Sequence, residues 1–232
     1  MASSSPPTTQ HMPTTSAYDL WSAVYDTDGN VLQQLDDGFV DAHLPALVAA
    51  LPTSTPPPTI IDLGCGTGRN TLKLAKLSGG IHVVALDNSQ GMLAQLHHKL
   101  QDANVTNVRV CVQDLSSITF PDAALRSAMR QGSTATNNDE AAKAAGIIST
   151  LVLEHLPLHT FFAAIPKPAI RSREEILQVA SDYGFTLDGA VGEEGVRDAA
   201  HAKELGVRAE KWIGVKMHLG MVLRMMDTGF II

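Results

Sequence analysis

Ile60-Ile61-Asp62-Leu63-Gly64-Cys65-Gly66-Thr67-Gly68 is the stretch whose reading decides the fold. Two β-branched residues lead into an acid, and three glycines follow at alternate positions. This is how a strand enters a tight loop whose backbone must come close to a ligand, since glycine tolerates φ > 0 and has no Cβ in the way. Asn70 to Leu77 read as helix, so the loop is expected to deliver free N–H groups to a helix N-terminus. Such a site favours a carboxylate or a phosphate.

Two well-known glycine loops do not fit. A dinucleotide fingerprint needs glycines at relative positions 1, 3 and 6. Position six is Arg69 when counted from Gly64, and Thr71 when counted from Gly66. A phosphate-binding P-loop needs Gly-Lys followed by Ser or Thr, and no Gly-Lys pair follows here.

Around this stretch, strands alternate with helices. Thr59–Leu63, Ile81–Leu86, Val108–Val112 and Gly146–Leu151 read as strands one to four. Helices are expected after the glycine loop, from Asn88 or Ser89 with Met92, Leu93, Leu96 and Leu100 buried, and near 158–164. The order implies βαβ crossovers and a mostly parallel α/β sheet with helices on both faces. Before it come a Ser/Thr/Pro-rich tail over 1–16, expected to be disordered, and an N-terminal helical cap over 17–51. The cap holds the aromatic segment Tyr18–Asp26, a turn at Asp26–Asn30 and a helix over Val31–Ala50. Pro52–Pro58 separates it from the main domain, 59–232. An exposed insertion is expected over 126–145, a capped helix over 173–183, and a final antiparallel pair from 185–191 and 212–224.

The 232 residues suffice for one domain with a substantial core. Hydrophobic content of 44% and charged content of 18% describe a soluble globular protein. A net charge of −7, with no Lys/Arg cluster, argues against nucleic acid as the main partner. Cys65 and Cys111 form no CxxC pair, so neither a metal site nor a disulfide framework is expected. With no run near ~18 apolar residues and no leader-like N-terminus, a cytoplasmic protein without a membrane partner is the expectation. Oligomeric state is left open.

In open α/β sheets, ligands bind beyond the carboxyl ends of the strands. Asp62, Asp87 and Asp114 end the first three strands. Asp87 lies nineteen residues past Gly68, and an acid about 20 residues beyond a glycine loop can accept both ribose hydroxyls of a nucleoside.

The run hydrophobic-Asp-Leu-Gly-Cys-Gly-Thr-Gly, with acids ending the next two strands, resembles the first motifs of class I S-adenosylmethionine (SAM)-dependent methyltransferases. The resemblance covers about Tyr18 to Ala164 and is similar to fungal methyltransferase-domain proteins. It implies a Rossmann-like sheet, SAM as cofactor and a small-molecule acceptor. Gly64, Cys65, Gly66 and Gly68 would cradle the aminoacyl end, with Asp62 at its amino group. Asp87 would take the ribose, with Asn88 and Met92 beside it, and Asp114, flanked by Gln113 and Leu115, the adenine. Tyr-Asp-x-Trp…Tyr-Asp, here Tyr18 to Asp26, resembles the family segment that folds over the cofactor. Tyr18, Trp21 and Tyr25 would then shield the sulfonium. Leu153-Glu154-His155-Leu156 resembles the fourth motif, and His155 is the candidate base.

The pattern breaks after Ala164. Pro166-Lys167-Pro168 leads into the capped helix where the family's fifth strand and a Pro-Gly-Gly turn would stand. A sheet reduced by loss of that strand is therefore expected. Two rivals follow: a catalytically degenerate SAM-binding paralogue, and a SAM-fold enzyme that uses the cofactor without methyl transfer. An NAD-dependent oxidoreductase is disfavoured by the glycine spacing.

Overall fold

The structure is a computed structural model describing residues 12–53, 57–77, 80–114, 144–152, 178, 181, 185–187, 192–195, 197–205, 216–220, 223–225 and 230–231. Its centre is four parallel strands, β1 (Thr59–Leu63), β2 (His82–Asp87), β3 (Val108–Val112) and β4 (Gly146–Ile148). They lie in the order β3-β2-β1-β4. Ile60 to Leu63 and Val83 to Leu86 are all buried. That is why these strands read as continuous apolar runs rather than alternating ones. The register Leu63↔Leu86 and Asp87↔Val112 brings the carboxyl ends of β1, β2 and β3 to one edge of the sheet. Strand four stops at Ile148 and does not reach Leu151, because Leu151 takes φ +57°, a left-handed conformation no strand accommodates.

Helices α1 (Thr14–Trp21), α2 (Val31–Ala50), α3 (Arg69–Ala75) and α4 (Gln90–Asp102) complete this part. The start of α1 at Thr14 places the last residues of the expected disordered tail inside a helix; residues 1–11 lie outside the described residues. Asn30 caps α2 by accepting from the Leu32 N–H, and Ser89 caps α4 through Met92 N–H. Helix α2 packs into the main core. Its Phe39, Val40, Leu44 and Leu47 share one cluster with Ile60, Leu74, Val83 and Ile148. Full burial of a side chain such as Val40 or Leu47 contributes about 1.5–3 kcal/mol, so α2 is part of the domain's foundation. Leu93, Leu96 and Leu100 of α4 cover Ala85. A further cluster joins Ile61, Leu63, Val84 and Leu86 to Cys111, Ile147 and Val152.

The C-terminal part adds β5 (Phe185–Leu187), β6 (Gly192–Gly195), α5 (Ala199–Leu205), β7 (Lys216–Gly220), β8 (Leu223–Met225) and β9 (Phe230–Ile231). The expected antiparallel pair exists as β5 with β8, Phe185 opposite Met225. The stretch 212–224, read as one strand, divides instead. β7 ends at Gly220 and pairs with β6 in a separate two-stranded sheet, which lies against α2. Glycine offers no side chain to continue a strand's packing. The main sheet continues β4-β9-β8-β5, seven strands among the described residues. The reduction expected from the sequence takes a particular form. The position beside β4 is held by the two-residue β9, through the single pair Ile147↔Ile231. The expected helices over 158–164 and 173–183 and most of the insertion lie outside the described residues, apart from helical Gln178 and Ser181. Among the described residues, no helix is long and apolar enough to cross a membrane.

Candidate functional site

The glycine loop turns out of β1 with φ of +73° at Gly64, +53° at Gly66 and +86° at Gly68. A Cβ on Gly64 would overlap the Val152 side chain, and one on Gly68 would overlap Leu96. Around a Cβ on Gly66 nothing among the described residues would lie within 4 Å. The outer two glycines therefore let the loop sit down on Val152, past the end of β4, and on α4, and the middle one faces open space. The loop's N–H groups are not held out for an anion, as the sequence led us to expect. Gly64 and Cys65 both donate to the Leu86 carbonyl, Gly66 to Asp87 Oδ2, and Gly68 to the Cys65 carbonyl. Spent in this way, they fasten the loop to the end of β2.

Beside the loop is a cleft lined by Tyr25, Asp62, Gly64 to Thr67, Arg69, Asn70, Thr150 and Leu151. Asp62 lies at its floor, 2% exposed, and accepts from the Thr71 hydroxyl at 2.5 Å. Burial pushes its carboxyl up to about 7, against the opposing pull of that hydrogen bond. Asn70, 6% exposed, donates through Nδ2 to Thr150 Oγ1 at 2.8 Å, and its Oδ1 finds no partner among the described residues. Leu151 stands at the cleft wall in its left-handed conformation, which costs roughly 1–2 kcal/mol for a non-glycine residue.

At the next strand end, Asp87 accepts from Gly66 N–H and Ser89 N–H, each at 2.8 Å. Burial raises its carboxyl, while bonds from Ser89, Gly66 and Asn88 work in the other direction. Gln113 donates its N–H to the Asp87 carbonyl at 2.8 Å, which draws the exposed Asp114 in beside β2. Asn88 is exposed at the same edge. Met92 is 1% exposed and does not line the cleft. Leu115 and His155 lie outside the described residues.

The three aromatics of the N-terminal segment form one cluster, with Trp21 and Tyr25 edge to face at 4.8 Å between centroids. Tyr18 completes it, 5.8 Å from Trp21 and 6.1 Å from Tyr25. Of the three, Tyr25 reaches the cleft. Sequence reasoning missed the ties that put it there. Asp26 accepts from the Thr67 hydroxyl at 2.6 Å and pairs with Lys99 at 2.7 Å, and Lys99 also donates to the Thr67 carbonyl. Asp19 accepts from Ser89 Oγ and Gly91 N–H at the start of α4. Arg69 donates to Asp36, Asp37 and the Gln33 carbonyl of α2. Both aspartates, 19 and 26, lie inside the segment already singled out, but their partners are 41 to 73 residues away and leave no local pattern.

A family model described as a methyltransferase domain matches residues 60–152, the glycine loop and all four parallel strands. An uncharacterized methyltransferase of Emericella nidulans is 33% identical over 218 residues, covering 85% of this chain and 73% of that protein. The chain belongs to the class I SAM-dependent methyltransferases.

Two solved structures share the chain's fold. Magnesium protoporphyrin IX methyltransferase from Synechocystis PCC 6803, with SAM bound, is 18% identical with a TM-score of 0.52, over 82% of this chain and 94% of that one. The cyclase SpnF is 16% identical with a TM-score of 0.53, over 83% of this chain and 82% of that one. At these identities the likeness extends to the fold alone.

Proposed function

We infer that this methyltransferase carries the methyl group of SAM to a small-molecule acceptor. The observation that carries the reading is the cleft beside the glycine loop, with buried Asp62 in its lining and Asp87, bonded to Gly66 N–H, at the next strand end. The residues suit the cofactor chemically. A buried carboxylate and an unpartnered buried carbonyl face the cleft, which favours a cationic aminoacyl group over a phosphate. A net charge of −7 supports a small acceptor over a nucleic acid. Both described cysteines are free thiols, in keeping with a reducing, cytoplasmic setting.

In this assignment Asp87 accepts from the ribose hydroxyls, with Asn88 beside it. Asp114, with Gln113 and Leu115, receives the adenine edge. Gly64, Cys65, Gly66 and Gly68 form the wall against the aminoacyl end, and Asp62 takes its ammonium. Tyr25, backed by Tyr18 and Trp21, closes the cleft from the N-terminal side and keeps water out; Met92 anchors the start of α4 through its buried side chain. When bound, SAM supplies a methyl group already activated by its sulfonium. The chain must then align the acceptor and exclude water. His155, which follows the cleft residue Leu151 in sequence, is assigned to take a proton where the acceptor has one to lose.

Incubation with methyl-labelled SAM and a metabolite extract tests this. Label should appear in the small-molecule fraction with stoichiometric S-adenosylhomocysteine. Label confined to RNA or protein would overturn the acceptor class, and turnover without S-adenosylhomocysteine would overturn methyl transfer.

Asp62 adds a pH prediction. Its carboxyl titrates near 7 in the unliganded protein, far above the ordinary ~3.9. This group's contribution to stability is therefore greatest below the ordinary value and is lost as pH rises to 7. An ammonium requires the ionised carboxylate, so SAM affinity should rise as pH passes upward through 7, with proton release on binding. Calorimetry in buffers of different ionisation enthalpy measures that proton; uptake instead of release would contradict the contact.

A further inference from the structure

Within the cleft, two polar side chains are joined. Asn70 Nδ2 donates to Thr150 Oγ1 at 2.8 Å. With its NH₂ end spent on Thr150, the Asn70 amide is left with its carbonyl end, and both residues line the cleft. The carbonyl oxygen is buried and has no partner among the described residues. An unsatisfied buried acceptor costs about 1–3 kcal/mol, a penalty that a donor-only ligand group would remove.

We propose that Asn70 Oδ1 accepts a hydrogen bond from the α-ammonium of the cofactor, and that Thr150 is a positioning residue that holds the amide in the accepting orientation. This rests on the SAM reading above and assigns one polar contact within it. Neither Asn70 nor Thr150 lies in the glycine run, and the pairing spans 80 residues of sequence.

Three probes test the assignment on the full chain by calorimetry: S-adenosylhomocysteine, its analogue lacking the α-amino group, and methylthioadenosine, which lacks the whole aminoacyl part. Asn70→Leu should weaken S-adenosylhomocysteine by about tenfold to a hundredfold, the range for a hydrogen bond to a charged group. It should leave both other probes within about twofold of wild type. Thr150→Val, which frees the amide to turn, should show the same selectivity with a smaller loss. Equal weakening of all three probes would make Asn70 a merely structural residue and overturn the proposal, as would unchanged S-adenosylhomocysteine affinity. Equal weakening of S-adenosylhomocysteine and the deaminated analogue, with methylthioadenosine unchanged, would mean the amide presents its NH₂ to the carboxylate, which also overturns it. Failure of the wild-type chain to bind any of the three would instead remove the cofactor reading beneath.

Discussion

Replacing Asp87 with alanine is expected to weaken S-adenosylhomocysteine binding by at least about a hundredfold. Each charge-assisted hydrogen bond to a ribose hydroxyl is worth about 1.5–3 kcal/mol, and every ~1.4 kcal/mol is tenfold in affinity. Two such bonds therefore give a hundredfold loss at the lower end. The same carboxylate also holds Gly66 N–H and Ser89 N–H at 2.8 Å, so alanine releases the loop and the α4 cap as well. A loss of roughly 1–3 kcal/mol in unfolding free energy should accompany it. Asp87→Asn separates the two effects. It keeps an oxygen of similar placement for one backbone donor and removes the charge that the hydroxyls meet. Its affinity should fall at least tenfold while its urea midpoint moves less than that of the alanine variant. Unchanged affinity in both variants would end the ribose assignment.

The second large effect concerns the join between α2 and α3. Asp36 is 1% exposed and meets Arg69 at 2.7 Å; Arg69 is itself largely buried and also reaches Asp37 at 2.9 Å. Burial already lifts the Asp36 carboxyl despite the Arg69 charge beside it. Removing the guanidinium leaves an uncompensated buried carboxylate, for which about 3–5 kcal/mol is the usual cost. Arg69→Met should lose that much stability in urea unfolding at neutral pH. The deficit should shrink as pH falls and Asp36 takes up a proton, since the cost attaches to its charged form. The double variant Arg69→Met/Asp36→Leu should recover most of the loss, because an apolar pair of similar volume is often neutral in such a place. A single variant as stable as wild type would show that the pair is not what holds α2 against the loop helix.

How much of this was legible in the sequence depends on how local each cause is. The bounds of β1, β3 and α2 follow from runs flanked by Pro52–Pro58, Asn107 and Asn30, and the structure reproduces them. The places of Asp62, Asp87 and Asp114 at the carboxyl end of the sheet could be read from the sequence, because ligands in open α/β sheets bind beyond those strand ends. The loop's inward hydrogen bonds could not be, since Gly64 and Cys65 are tied to Leu86 by the register of two strands rather than by the loop's own residues. Thr150 and Arg69 carry no spacing signal, as their partners Asn70 and Asp36 are 80 and 33 residues away. The C-terminal strands are two to five residues long, and their assignment is fixed by which neighbour each one pairs with. A hydrophobicity pattern cannot supply that.

The most direct test of the central claim is a crystal structure of the full chain grown with S-adenosylhomocysteine. It should show the ribose hydroxyls on Asp87, the adenine beside Asp114, and the aminoacyl end in the cleft bounded by Gly64–Gly68, Asn70 and Thr150. Density for the ligand anywhere else, with the space over Gly66 left to solvent, would contradict it.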